Sequence, residues 1–187
     1  MSRPRKITDE EVVEAVAGLI AREGPGALTF ASAAAATGLS PATLVQRYGN
    51  REALLRATLL WMWDQLDAET QRADAAHPLD PEGAVALLVR LSADYVSGEE
   101  AAQGLLLLRE DLRDPVLRAR GVAWNRALIS ALGRRLSDVP EARERLGRLM
   151  ASQWQGAVLW WGFSREGTLR GRLRRELREW VAAVGVA

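Results

Sequence analysis

Residues with the capacity for directed polar chemistry stand close together in the stretch LSPATLVQRYGN, residues 39–50. Ser40 and Thr43 carry hydroxyls, Gln46 an amide, and Arg47, with Arg51 directly after the stretch, guanidinium groups. Such groups make reversible hydrogen bonds to base edges and phosphates, and none of them is an activated nucleophile. Ser40 is suited to cap a helix and Pro41 to occupy its first position, so the stretch predicts a short helix presenting side chains rather than a turn.

Covalent chemistry has little material elsewhere. The chain has no cysteine, which excludes disulfides, thiolate zinc sites and cysteine nucleophiles. Its one histidine, His77, lies in ADAAHPLDP and is expected as a solvated loop residue. The adjacent pairs Glu99-Glu100 and Glu110-Asp111 would point about 100° apart on a helix instead of sharing one site. No catalytic residue, metal site or cofactor is expected, and the chain is not read as an enzyme. With 187 residues, 48% of them hydrophobic, there is enough apolar material for a sizeable core. No apolar run approaches the roughly 18 to 20 residues that span a bilayer, and the start MSRPRKITDEE lacks a signal-peptide core, so a soluble protein of the cytoplasm is expected. The net charge is +1, yet Arg3, Arg5 and Lys6 gather at the N-terminus. They form either an arm that follows a phosphate backbone or a solvated terminus.

The elements that must position these residues read as helices throughout. Thr8-x-x-Glu11 is a capping box ahead of a stripe of Val12, Val16, Leu19 and Ile20, ended by Gly24. Thr29 caps a short second helix over 30–37, Gly38 closes it, and Ser40 opens a third ending near Tyr48. Asn50 caps a long fourth over 51–73, and further helices are expected over 82–97, 102–112, 115–136, 141–163 and 168–184. No alternating strand pattern, repeat or low-complexity tail is present. The expected fold class is all-α, about nine helices, with a helix-turn-helix domain over 1–50 and a larger helical domain over 51–187.

Ala34, Gly38 and Leu44 have the spacing of a helix-turn-helix: a small residue permits close crossing, glycine makes the turn, and leucine pins the second helix. The opposite face, with Ser40, Pro41, Ala42, Thr43, Gln46 and Arg47, would enter a DNA major groove. Together with Thr29 and Arg51-Glu52-Ala53-Leu54, the run TFASAAAATGLSPATLVQRYGNREALL closely resembles the DNA-binding signature of the TetR family of transcriptional regulators, over about residues 7–55. That resemblance implies contacts from Thr29, Thr43 and Arg51 to phosphates or the groove edge. It also makes Tyr48, standing for a phenylalanine, an anchor against the long helix. Val45 departs from it, standing where a backbone-contacting tyrosine is usual, and Ala33 replaces a larger aliphatic.

The remaining chain looks like that family's ligand-binding and dimerisation domain. Leu146, Met150, Trp154, Ala157 and Trp161 form one apolar stripe, and Leu169, Leu173, Leu177, Trp180 and Val184 another. Two such helices from each of two subunits would make a four-helix interface centred on Trp154, Trp161, Leu173, Leu177 and Trp180, although a stripe inside one subunit explains the same residues. Seven tryptophans lie in the long helices. A pocket for a small apolar or aromatic effector is expected among Trp61, Met62, Tyr95, Gln103, Trp124, Asn125, Trp154 and Trp161, core packing being the alternative for each tryptophan. The expected function is thus a homodimeric, ligand-responsive regulator of a palindromic double-stranded operator, a repressor by resemblance and without membrane association. An all-α interaction protein with a vestigial helix-turn-helix, or an enzyme, is the alternative.

Overall fold

Thr8 opens the first helix as expected: its hydroxyl accepts from Glu11 N at 3.2 Å while Glu11 Oε2 accepts from Thr8 N at 2.8 Å. The computed structural model describes residues 7–92 and 98–185, with the side chains of 98–102 excepted. Its helices are α1 (Asp9–Glu23), α2 (Phe30–Thr37), α3 (Pro41–Tyr48), α4 (Arg51–Ala76), α5 (Pro81–Leu91), α6 (Gly98–Arg113), α7 (Pro115–Leu136), α8 (Pro140–Ser164) and α9 (Leu169–Ala183), with a 3₁₀ turn at Pro25–Ala27. No strand occurs among the described residues, and no helix there is long and apolar enough to cross a membrane.

The chain forms two compact units, Met1–Gln65 with Gln103–Arg120, and Leu66–Ala102 with Gly121–Ala187. The expected division at residue 50 coincides with the start of α4, but the first unit is larger than the helix-turn-helix. The reason lies in its core. Val12, Val16, Leu19 and Ile20 of α1, Ala33 of α2 and Leu44 of α3 pack into one cluster with Leu54, Leu55 and Leu59 of α4 and Leu117 of α7. Three short helices cannot cover their own apolar faces, so α4 and α7 supply the missing area.

In the second unit α9 packs on α5 and α8. Glycine decides how closely α7 and α8 approach. A Cβ on Gly147 would lie 2.2 Å from the Ile129 carbonyl, and one on Gly133 would lie 2.5 Å from that of Arg143. Neither position can take a side chain without separating the helices. Leu146, Met150, Trp154, Ala157 and Trp161 of α8, with Leu169, Leu173 and Leu177 of α9, are all buried within this unit. The α8 stripe and the first three residues of the α9 stripe are therefore core of one subunit, whereas Trp180 is half-buried and Val184 is exposed.

His77 corrects its expectation: it is half-buried, its Nε2 has no hydrogen-bond partner, and its carbonyl accepts from Arg135 Nη2 at 2.9 Å. The loop folds over Arg135, whose side chain is 0% exposed and also donates to Asp74 Oδ1 at 2.5 Å and to the carbonyls of Asp74, Pro78 and Ala131. A buried guanidinium survives only when its donors are met this fully.

Arg134 pairs with the same Asp74 but is 40% exposed. Arg135→Ala should therefore cost about 3–5 kcal/mol of stability and Arg134→Ala under about 1 kcal/mol, measured by urea unfolding. Equal losses would show that burial does not distinguish the two.

Candidate nucleic-acid interface

Gly38 sets the turn between α2 and α3. It caps α2 at φ 72°, the left-handed region glycine enters without strain, and its N–H donates to Ala34 O at 2.9 Å. Ser40 then caps α3, its hydroxyl accepting from Thr43 N at 3.1 Å and lying 2.9 Å from Thr43 Oγ1. Leu44, fully buried, holds the helix to the core. Burying one leucine contributes about 1.5–3 kcal/mol, enough to orient a helix of two turns.

At about 100° per residue, Pro41, Ala42, Val45 and Gln46 fall within one arc of roughly 140°. All four are exposed, whereas Thr43, Arg47 and Tyr48 are half-buried. The expected face thus comes apart. Arg47 lies roughly 170° round the helix from the middle of that arc. Its Nη1 donates to the Ile7 carbonyl at 2.9 Å and to Asp9 Oδ1 at 3.3 Å, so it ties α3 to the start of α1. Tyr48 reaches the same place, its hydroxyl 3.5 Å from the Asp9 carbonyl. Burial, with the Asp9 charge adding to it and Arg47 opposing, raises the Tyr48 pKa above its ordinary value, so the hydroxyl stays a neutral donor.

Arg51 is also engaged. Its Nε donates to the Leu28 carbonyl and its Nη2 to the Pro25 carbonyl, both at 2.6 Å. The guanidinium fastens the start of α4 to the segment joining α1 and α2. Thr29 is exposed and caps α2, accepting from Ser32 N at 3.0 Å. Arg3, Arg5 and Lys6 lie outside the described residues. In the sequence Val45 stands out only as a departure from the family signature, and Asp9 does not stand out. The 100° step along α3 was the available signal for Val45, but nothing in the sequence pairs Asp9 with Arg47, 38 positions apart.

The residues expected around an effector divide between the units. In the first, Met62 packs on the core, while Trp61 Nε1 and Gln103 Oε1 are buried without a hydrogen-bond partner. In the second, Trp124 and Trp154 pack ring against ring at 6.4 Å, and their indole N–H groups donate to Thr70 Oγ1 at 2.9 Å and Ser92 Oγ at 2.8 Å. These are satisfied core aromatics. Trp161 is buried and donates to Gly167 O, Asn125 is exposed, and Tyr95 lies outside the described residues. A hollow of about 340 Å³ in the first unit is lined by Pro25, Gly26, Arg51, Leu106, Arg109, Glu110 and Arg113. It contains none of the expected effector residues.

No family model matches the sequence, and comparison with curated proteins finds no match. Solved structures do match the fold. A TetR-family transcriptional regulator from Streptomyces coelicolor superposes with TM-score 0.71 at 17% identity, covering 95% of this chain and 84% of that one. A TetR transcriptional regulator from Legionella pneumophila does so with TM-score 0.70 at 18% identity, covering 95% and 98%. The multidrug binding protein EbrR complexed with imidazole matches with TM-score 0.67 at 18% identity, covering 93% and 94%.

The Arg51 geometry yields a separable expectation. Arg51→Ala leaves the Pro25 and Leu28 carbonyls without these charged donors and should lower stability by about 1–3 kcal/mol in urea unfolding without DNA. A variant of unchanged stability would mean that the clamp contributes nothing.

Proposed function

We propose that this chain, which has the all-α fold of the TetR-type transcriptional regulators, is itself a DNA-binding regulator: a repressor that binds a palindromic operator as a homodimer and is released by a small lipophilic effector. The observation that carries this reading is the exposed arc of α3, displayed on a helix-turn-helix whose other faces are committed to the core. A short helix with a free polar and methyl-bearing face suits a major groove. Thr29, Ser40, Thr43 and Arg51 would stand near the phosphates and Ala42, Val45 and Gln46 near the bases. The decisive experiment selects bound fragments from the source genome with the purified chain. Enrichment of an inverted repeat is expected, and enrichment of no sequence over competitor DNA would end the reading.

A palindrome requires a two-fold protein. With the α8 stripe and most of the α9 stripe buried, we take as the pairing surface the other side of α8, where Leu149, Leu159, Trp160 and Phe163 are exposed by 41%, 42%, 61% and 74%. Their positions recur at helical spacing, and the Trp160 and Phe163 rings meet at a 44° tilt with centroids 5.5 Å apart. Apolar side chains this exposed are costly in isolation, and pairing them across a two-fold axis removes them from water. Trp180 of α9, half-buried, is the one expected interface residue still partly accessible.

The effector is proposed on the likeness to such regulators and on Trp61 and Gln103, whose unpartnered polar atoms keep hydrogen-bonding capacity that a ligand would use. A hundredfold loss of operator affinity requires about 2.7 kcal/mol of preference for the DNA-incompetent state. Lipophilic aromatic compounds that change tryptophan fluorescence should also release operator. Binders that leave operator affinity unchanged would break this coupling.

Phe163→Glu and Trp160→Glu should each shift the chain from dimer to monomer in sedimentation velocity while the helical circular dichroism is retained. Dimers that persist in both variants would place the interface elsewhere.

A further inference from the structure

Given the regulator reading, the chemistry left free on α3 specifies which bases it can read. Arg47 faces α1, and the Arg51 Nε and Nη2 donate to backbone carbonyls. The hydroxyls of Ser40 and Thr43 bond each other at the helix start. What remains on the exposed arc is the Pro41 ring, the Ala42 methyl, the Val45 isopropyl group, 44% of Val45 being exposed, and the Gln46 amide, which makes no hydrogen bond within the described residues.

We propose that α3 recognises A·T pairs: Gln46 bonds an adenine edge, and Ala42 and Val45 pack against the 5-methyl groups of thymines within about two base steps of it. The reasons are geometric and chemical. Guanine presents two acceptors in the major groove, which a guanidinium or ammonium meets with paired donors, and α3 has none free. Adenine presents one acceptor and one donor, which an amide matches with its own donor and acceptor. A lone amide can also accept from cytosine N4, so the apolar neighbours decide. Only thymine offers a methyl group in the groove, and burying a methyl against a valine is favourable where burying cytosine's amino group would not be. Residues i and i+4 on a helix lie about 5–6 Å apart against roughly 3.4 Å per base step, so Ala42, Val45 and Gln46 cover adjacent pairs.

The test uses the full chain and the inverted repeat selected from genomic fragments. Each thymine of one half-site is replaced in turn by uracil, which removes only the 5-methyl group, and affinity is measured at fixed salt. One or two positions should lose about three- to fivefold with the wild-type chain. At one of these the loss should vanish in Val45→Ala, because a contact already removed cannot be removed twice. Gln46→Ala should reduce the preference for adenine at a neighbouring position by about tenfold. Arg47→Ala should leave base preference unchanged. Half-sites with guanine at the positions sensitive to α3 substitutions, uracil tolerated throughout, or base preference lost in Arg47→Ala would each overturn the inference while leaving the regulator reading intact. Failure to enrich any sequence would remove both.

Discussion

An eight-residue helix does not hold its shape in water unaided, because nucleation consumes most of what two turns of hydrogen bonds return. The whole candidate interface depends on how α3 is held from outside. Leu44 anchors it in the core, Arg47 and Tyr48 fasten its far side to α1, and Ser40 caps its start. Each fastening uses a face, and the arc of Pro41, Ala42, Val45 and Gln46 is what is left over. The candidate surface is thus defined by subtraction.

The same economy governs the charges of the first unit. A surface ion pair such as Arg47 with Asp9, whose carboxylate side chain is 78% exposed, contributes little by Coulomb attraction alone. Its donation to the part-buried Ile7 carbonyl gives the guanidinium a fixed direction. Arg51 follows this pattern with two carbonyls. Both arginines act as clamps between segments that are distant in sequence.

In the second unit several buried polar groups find partners, with His77 Nε2 an exception. The indoles of Trp124 and Trp154 spend their N–H groups on Thr70 and Ser92, and Arg135 is surrounded by carbonyl and carboxylate oxygens. Such fully met networks confer rigidity where a pocket would need vacancy. The large exposed apolar groups of α8, Trp160 and Phe163, stand apart from this core and leave one side of that helix unsatisfied.

The bounds of α1 to α3, the capping box at Thr8, the caps at Thr29 and Ser40 and the left-handed turn at Gly38 were legible in the sequence, because caps and periodicity are local and act within one or two turns, whereas α5, expected to reach residue 97, ends at Leu91 and α6, expected from 102, starts at Gly98. The all-α class followed from the same signals, and so did the burial of Leu44. Two things were not legible. The direction of Arg47 and Arg51 depends on Asp9, Ile7, Pro25 and Leu28, between 23 and 40 positions away, and no local rule links them. Whether the α8 stripe faces its own subunit or another was equally undetermined, since periodicity shows that a face is apolar but not what covers it. Only tertiary packing decides that, because burial is a property of the neighbours a side chain finds, and the neighbours are chosen by the whole fold.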